Sequence, residues 1–436
     1  MIKLRRFFYV IAATVSVCMS PVAYGADILS QIHPYITVSE EYSDNLHLTK
    51  NDKKEDFMTT IRPGIRFSNM DAQSGVELDA SAGYIFHARY ENLDYLTANV
   101  DLNARYLTTS HFNFYIRNSF IRSDDPRERE FFSTTPDNRY VLSRETERRI
   151  YIRNIVEPMV EYQFGPESRV GLRYRNNYYR DKDTHVGGVL FDNDSVENYI
   201  NPFLTYWVTR QHGFSVDYGY TDGHFHAQPD LKGHRVGASY MLRFTPRAIA
   251  SVGGAYTSQL FSDKMLNYDI YDAFLSLSYE FSPTLTASAE AGYYWMDPRH
   301  GENQDGVTFR ADITQLDGRT TYRAGIQGGY TQDYFTSQNL GFRKYYRATG
   351  SVTHELIRTL SVGILGSIEY AESDNAPPEP KEKDIIWMAG ANIAYTPFQW
   401  LRIAFDYRYQ QQSANDYYDL NEYKEHRAIL SLTATY

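Results

Sequence analysis

Cysteine is nearly absent from the chain. The 436 residues contain one cysteine, Cys18, which lies close to the N-terminus. A single cysteine excludes an internal disulfide and the cysteine clusters that hold zinc or iron–sulfur groups. The sequence also lacks a Gly-rich phosphate loop and an acidic calcium loop, so no cofactor is predicted.

Long apolar runs are missing as well. The mean hydropathy is −0.52, and no run beyond the first residues is long enough for a membrane-spanning helix, which needs about 20 apolar residues. A helical membrane protein is therefore excluded. The net charge of −10 and the pI of about 5.7 argue against a nucleic-acid partner.

The first 25 residues are typical of a secretory signal peptide. A basic start is followed by the apolar run Phe7–Met19 and by small residues around Ala23–Gly25. We therefore predict that the mature chain begins at Ala26. Residues 26–34 are interpreted as a short periplasmic segment, and residues 35–436 as one further domain.

Aromatic residues are abundant, and apolar residues alternate with polar ones. Tyrosine occurs 39 times, and aromatics make up 15% of the chain. The final segment places Ala428, Leu430, Leu432, Ala434 and Tyr436 at alternate positions. A period of two with one apolar face predicts β-strands, and a large number of such strands with many aromatics favours an all-β transmembrane, antiparallel, up-and-down barrel. A soluble all-β sandwich is the alternative.

About 20 alternating segments can be counted, or 18 if a weak hairpin is merged. Short polar turns such as Gly165–Ser168 alternate with longer charged loops, which predicts that both termini lie on the periplasmic, short-turn side. The longest predicted loops are Asn45–Asp56, Ser123–Glu147 and Ala371–Asp384. The alternation is least clear in Tyr35–Tyr42 and Ile249–Leu260.

A barrel of this size is too wide for side chains to fill, so we expect a polar lumen. One candidate functional feature is a basic wall of lumen-facing arginines: Arg62, Arg66, Arg105, Arg117, Arg149, Arg153, Arg173 and Arg175. Guanidinium groups would attract acidic solutes or an acidic polymer. The alternative explanation is that these arginines form the ordinary ion pairs of a wide lumen, with carboxylates such as Glu77 and Glu157. The second candidate is a set of lumen aromatics on which sugars could stack: Tyr115, Tyr151, Tyr179 and Tyr199.

Catalysis is not expected from this sequence. Histidines are scattered along the chain, and His224 with His226 supplies only two metal ligands, which do not make a site. The longest loop, Ser123–Glu147, is either a solvated external loop or a constriction loop that folds into the pore. No segment is predicted to form a separate plug domain.

Two stretches carry a family resemblance. Pro34–Leu46 ends in Tyr-Ser-Asp-Asn-Leu, and Asp56–Phe67 contains Arg-Pro-Gly. Together with Tyr162–Ser168 they resemble the opening and the recurring turn of the β-barrel porin 2 family. This resemblance implies an outer-membrane barrel linked to exopolysaccharide export, with a periplasmic polysaccharide-export partner and the polysaccharide itself as ligand. The terminal aromatic Tyr436 resembles the signal that the barrel-assembly machinery reads.

Three functions follow as hypotheses for the outer membrane of a Gram-negative cell. The first is a channel that conducts exopolysaccharide. The second is a general diffusion porin for small solutes. The third is a structural or adhesive surface barrel whose lumen is plugged by its own loops.

Overall fold

The computed structural model describes residues 31–71, 73–107, 111–125, 150–181, 184–186, 189–191, 194–335, 341–373, 382–414 and 422–436. The predicted signal peptide, Arg149 and most of the predicted loop Ser123–Glu147 lie outside these residues. Within the described ranges no helix is long and apolar enough to cross a membrane.

Twenty strands form one closed antiparallel sheet. In chain order the strands are β1 (Ile32–Ser43), β2 (Asp56–Met70), β3 (Ser74–His87), β4 (Tyr95–Leu107), β5 (Phe112–Ser123), β6 (Tyr151–Gln163), β7 (Arg169–Asp181), β8 (Thr184–Val186), β9 (Val189–Phe191), β10 (Ser195–Trp207), β11 (His212–Phe225), β12 (Leu231–Thr245), β13 (Ala248–Phe261), β14 (Tyr268–Ser282), β15 (Leu285–Pro298), β16 (Gln304–Asp317), β17 (Thr320–Asp333), β18 (Gly341–Ile357), β19 (Leu360–Ser373), β20 (Glu382–Phe398), β21 (Leu401–Ala414) and β22 (Tyr423–Thr435). Strands β8 and β9 pair only with each other.

The barrel closes where β1 pairs with β22, for example Tyr35 with Thr435. The predicted count of 20 strands is therefore confirmed. Strands about 4.8 Å apart and tilted by about 40° give a backbone diameter of roughly 40 Å for this number of strands. Such a cylinder leaves space inside the ring of side chains.

All the short connections lie at one end of the barrel, here called the turn end. The predicted turn Gly165–Ser168 lies between β6 and β7. The first residue of β1, Ile32, and the last residue of β22, Thr435, lie at this same end. The opposite end, here called the loop end, carries the longer connections, including the predicted loop Asn45–Asp56. The predicted loop Ala371–Asp384 is shorter than expected, because β19 runs to Ser373 and β20 begins at Glu382.

The outward face of the barrel is apolar. On β14, Tyr271, Leu275 and Leu277 point outward and are exposed, whereas Asp272 and Ser276 point inward. The two segments with the weakest alternation, Tyr35–Tyr42 and Ile249–Leu260, are also strands and belong to β1 and β13. An apolar outside with a polar inside is the reverse of a water-soluble barrel.

Exposed aromatics form two belts on the outward face. The belt near the turn end contains Tyr106, Phe112, Tyr162, Tyr206, Phe214, Phe281, Tyr322, Phe398 and Trp400. The belt near the loop end contains Phe57, Tyr84, Phe86, Tyr218, Tyr256, Tyr271, Tyr293, Trp295, Tyr346, Trp387 and Tyr407. Rings with a polar tip suit the interface between lipid and water, so the two belts mark the edges of a lipid-contacting band.

Candidate functional site: the barrel lumen

The lumen differs between its two halves. In the loop half the inward side chains are mostly buried, among them Thr97, Ile121, Asn177, Gln259, Ile270, Tyr294, Ile386 and Gln412. In the turn half many inward polar side chains are exposed, among them Arg66, Glu77, Asp101, Arg117, Arg173, Glu280, Glu290 and Glu355. The turn half is therefore a solvated vestibule, and the loop half is packed.

Part of this packing comes from a hairpin that leaves the barrel wall. The pairing of β16 with β17 ends at Phe309 and Gly328, whereas β17 and β18 stay paired up to Asp333 and Gly341. Residues Gly329–Phe335 and Gly341–Tyr345 are called the inserted hairpin below. Its β17 strand has separated from β16, whereas its β18 strand stays paired with β19 as far as Arg343 and Ser373. Gly329 (φ 144°) and Gly341 (φ 69°) adopt positive φ angles, a backbone region that glycine enters without the steric cost of a Cβ atom.

The inserted hairpin packs its outer face on the inner wall of β13–β15. Tyr330 donates a hydrogen bond to Asp272 (2.8 Å), and the hydroxyls of Tyr334 and Tyr268 lie 2.8 Å apart. Phe342 contacts the rings of Tyr268 and Tyr330. Burial raises the pKa of Tyr334 well above its ordinary value, so its phenol stays protonated. The hairpin is thus held by aromatic burial and by hydrogen bonds.

Phe335, called the tip of the inserted hairpin below, is the last residue described before Gly341, and it reaches strands on the other side of the lumen. The carbonyl oxygen of Phe335 accepts hydrogen bonds from Arg153 (3.4 Å) on β6 and from Asn177 (3.5 Å) on β7. The ring of Phe335 stacks on Phe225 at 5.1 Å and lies over Gly223, where a Cβ atom would come within 2.5 Å of it. The hairpin therefore spans the lumen from β15 to β6.

Sequence reasoning did not predict this element. The expected candidates for an inward loop were Ser123–Glu147, Ala371–Asp384 and Asn45–Asp56. A signal was present, because Tyr330, Tyr334 and Phe335 crowd one short segment that has glycines at both ends. Of the predicted loops, Asn45–Asp56 buries Leu48 (1% exposed). The start of Ser123–Glu147 turns inward, since Asp125 lies 3.7 Å from Arg427 of β22.

The described arginines of the predicted basic wall all lie on inward faces, but they differ in their partners. Arg66 pairs with Asp79 at 2.9 Å, and Arg175 pairs with Glu197 at 2.5 Å. Arg153 engages Asn177 and the inserted hairpin. Four members make no ion pair with a carboxylate among the described residues: Arg62, Arg105, Arg117 and Arg173.

Two of these four face the vestibule directly. Arg117 donates a hydrogen bond to the amide oxygen of Asn103 (3.1 Å), and Arg173 contacts the sulfur of Met159 at 3.8 Å and the ring of Phe203. Both are exposed. Carboxylates interleave with the arginines, since Glu157 pairs in register with Arg117 on the neighbouring strand. The wall is therefore mixed in charge, with individual guanidinium groups free to meet a solute.

Aromatic rings on the inward face of β10 lie flat against the wall. Phe203 covers Gly171, Tyr199 covers Gly219, and Trp207 covers Gly213, with the Cβ position of each glycine within 3.0 Å of the ring. An arginine faces each ring: Arg173 at 5.9 Å from Phe203, Arg175 at 5.0 Å from Tyr199, and Arg243 at 4.2 Å from Trp207. The rings fix the guanidinium groups through cation–π contact instead of projecting into the passage.

The predicted lumen aromatics are therefore not a continuous stacking surface. Tyr151 (0% exposed) and Tyr179 (1% exposed) point inward but are buried against Ile121. The ring of Tyr199 lies between Gly219 and the guanidinium group of Arg175. Tyr115 is half-buried and lies 3.5 Å from Glu161.

Ion pairs also order the turn end. Arg243 holds Glu167 of the turn between β6 and β7 at 2.9 Å, and this contact lowers the pKa of the Glu167 carboxyl. Tyr436 is 96% exposed, and its backbone nitrogen donates to the carbonyl of Pro34 (2.8 Å).

Within the described ranges no group of three or more histidine, cysteine, aspartate or glutamate side chains could hold an ion. His224 points away from the lumen and lies near Asp222 (3.4 Å) and Asp230 (3.2 Å).

Comparison with solved structures gives the same architecture. The chain is similar to a mutant ferric enterobactin receptor of Pseudomonas aeruginosa, with a TM-score of 0.52 at 8% identity, covering 93% of this chain and 80% of that one. It is also similar to the ferric citrate transporter FecA in its unliganded form (TM-score 0.52, 10% identity, 92% and 78% covered). Acinetobacter baumannii OccAB4 matches at a TM-score of 0.45 and 11% identity, with 93% and 98% covered.

The two similarities with a TM-score of 0.52 establish the barrel fold only. No family profile matches the chain, and no curated protein matches its sequence. The resemblance to the β-barrel porin 2 family therefore stays a prediction.

Proposed function

We propose that the protein is an outer-membrane channel, a general diffusion porin for small polar solutes. One observation carries this proposal: a closed barrel with an apolar, aromatic-belted outside encloses a vestibule in which charged side chains such as Arg117 and Glu290 are exposed to water. Charged groups inside a wide cylinder serve solutes that pass through water, not lipid.

The porin function is favoured over exopolysaccharide conduction. A sugar polymer would use accessible ring faces along the passage, but Tyr151 and Tyr179 are buried, and the rings of β10 are covered by arginines. The inserted hairpin also narrows the loop half, where a polymer would need room. Only the sequence resemblance therefore supports exopolysaccharide export and a periplasmic export partner.

The channel is proposed to favour acidic solutes. Arg173 and Arg117 face the vestibule without a carboxylate partner among the described residues. A fixed guanidinium group attracts anions and offers two parallel hydrogen bonds to a carboxylate. Outer-membrane lipid and the barrel-assembly machinery are the partners that this function implies.

The test is ion selectivity in planar lipid bilayers. The reversal potential is measured across a salt gradient for the wild type and for Arg117→Ala and Arg173→Ala. Each substitution should shift the potential toward cation preference. The matched control is Arg122→Ala, which removes an arginine from the outward face of the same strand as Arg117, and this variant should behave like the wild type.

Two results would contradict the proposal. Folded wild-type protein that seals the bilayer under all conditions would rule out a diffusion porin. Unchanged selectivity in both lumen variants would rule out the acidic preference while leaving the porin function in place.

A further inference from the structure

We propose that the inserted hairpin is a gate that alternates between the lumen and the barrel wall. In the described position the inserted hairpin extends from the β18–β19 ladder into the lumen and closes part of its loop half. In the other position β17 pairs with the free edge of β16, and the lumen opens. This inference rests on the proposed channel function, because it assigns the element that controls passage.

The free edge of β16 supplies the second position. Residues Gln304–Thr308 pair with β15 on one side only, because β17 leaves β16 after the pair Phe309 and Gly328. Continuing the same antiparallel register would place Gly329 opposite Thr308 and Asp333 opposite Gln304. The inserted hairpin thus has a partner strand in the correct direction, and pairing with it would add backbone hydrogen bonds on the side where Gln304–Thr308 have no described partner strand.

Gly329 supplies the hinge. It has a positive φ angle and directly follows Gly328, the last residue of β17 that pairs with β16. Gly341 also has a positive φ angle, but it pairs with Asp333 near the far end of the hairpin. Rotation at a few such residues can move a paired segment. The hairpin keeps its own ladder in both positions, since β17 and β18 stay paired through Asp333 and Gly341.

Contacts at the tip supply the latch. The carbonyl oxygen of Phe335 accepts hydrogen bonds from Arg153 and Asn177, and the ring of Phe335 lies over Gly223. On the facing side, Tyr330 and Gln332 bond to the wall at Asp272 and Gln259. The described position is therefore stabilised by aromatic burial and side-chain hydrogen bonds, and the wall position by backbone pairing. An element with two such packings can act as a switch.

A reversible cross-link tests the movement and the gating separately. The double substitution Gln304→Cys with Asp333→Cys places thiols on residues that become opposite neighbours only when the hairpin joins β16. Opposite residues of an antiparallel pair lie within the Cα distance that a disulfide spans. Oxidation of the folded protein should form the bond and raise the mean bilayer conductance, and reductant should restore the starting value on the same protein.

The possible results distinguish the movement of the hairpin, its role as a gate and the channel function. Failure of the disulfide to form in folded barrels overturns the proposed movement. A disulfide that forms without changing the conductance overturns the gate. Absence of current in every form, including the wild type, instead refutes the channel function, while the disulfide still reports whether the hairpin moves.

Latch variants give a second, independent measurement. Gly223→Ala places a methyl group 2.5 Å from the Phe335 ring and should displace the tip, as should Phe335→Ala. Both should raise the open fraction by about tenfold, the change produced by losing a modest contact energy. Gly350→Ala is the matched control, because its Cβ position meets nothing within 4 Å. Folding is checked by the heat-dependent gel shift, and wild-type conductance in both folded latch variants would contradict the latch.

Discussion

An arginine placed on the outward face should be far more costly than one placed on the inward face of the same strand. Leu275 of β14 is 60% exposed and points outward, and its neighbour Ser276 points inward. The substitutions Leu275→Arg and Ser276→Arg therefore put the same charge at nearly the same height, once in lipid and once in the aqueous vestibule.

The position of Leu275 sets the expected magnitude. The outward residues of β14 run from Tyr271 in one aromatic belt to Phe281 in the other. At about 3.4 Å per residue and a tilt of about 40°, Leu275 lies roughly 10 Å from the first belt and 15 Å from the second. It is thus near the middle of the lipid band, where a lipid-facing arginine costs about 2–4 kcal/mol. Ser276→Arg should cost about 0.5 kcal/mol or less, as a solvated surface change.

The assay is equilibrium unfolding by guanidinium chloride in phospholipid vesicles, followed by tryptophan fluorescence and by the gel shift of folded barrels. The midpoint of Leu275→Arg should fall well below that of Ser276→Arg. Equal losses for the two variants, or a larger loss for Ser276→Arg, would refute the assignment of the two faces.

Two further predictions concern ion pairs and turns. Arg175→Ala leaves Glu197, which is 4% exposed, without its cation and should lower the unfolding free energy by about 3 kcal/mol. Arg66→Ala removes one partner of a pair whose side chains are 54% and 37% exposed, so it should lower the unfolding free energy by about 1 kcal/mol or less. Equal losses in the same vesicle assay would contradict this ranking. Asp71 accepts hydrogen bonds from the backbone nitrogens of Ser74 and Gln73, which lower its pKa, so its contribution is complete above the ordinary aspartate range and is lost as the pH falls through the lowered value. The stability difference between wild type and Asp71→Asn should therefore shrink on acidification, and a difference independent of pH would exclude this turn contact.

The fold could be predicted because alternation is local. A strand such as β14 carries its two faces in its own residues, and Gly or Pro marks turns such as Gly165–Ser168. The turn between β18 and β19, at Arg358 and Thr359, contains neither residue, and it is indicated only by the alternation of the strands on either side.

The lumen was harder to predict because its contacts join strands far apart in sequence. Tyr330 and Phe342 have the spacing of lipid-facing residues, yet they pack on the inner wall, because the hairpin that carries them leaves the barrel. Alternation correctly directs Tyr179 inward, but it cannot indicate what covers the ring. The difference between paired Arg175 and unpaired Arg173 depends on strand register, which composition does not reveal.

The glycines beneath the rings of β10 affect the width of the passage separately from its charged side chains. Because Phe203 rests on Gly171, the bore at that level is set by the thickness of a ring lying down and not by its length. A methyl group at Gly171 would tip the ring upright and narrow the bore without adding or removing a charged side chain. The width of the passage could therefore be adjusted through a residue that lies beneath the ring, with the set of lumen charges unchanged.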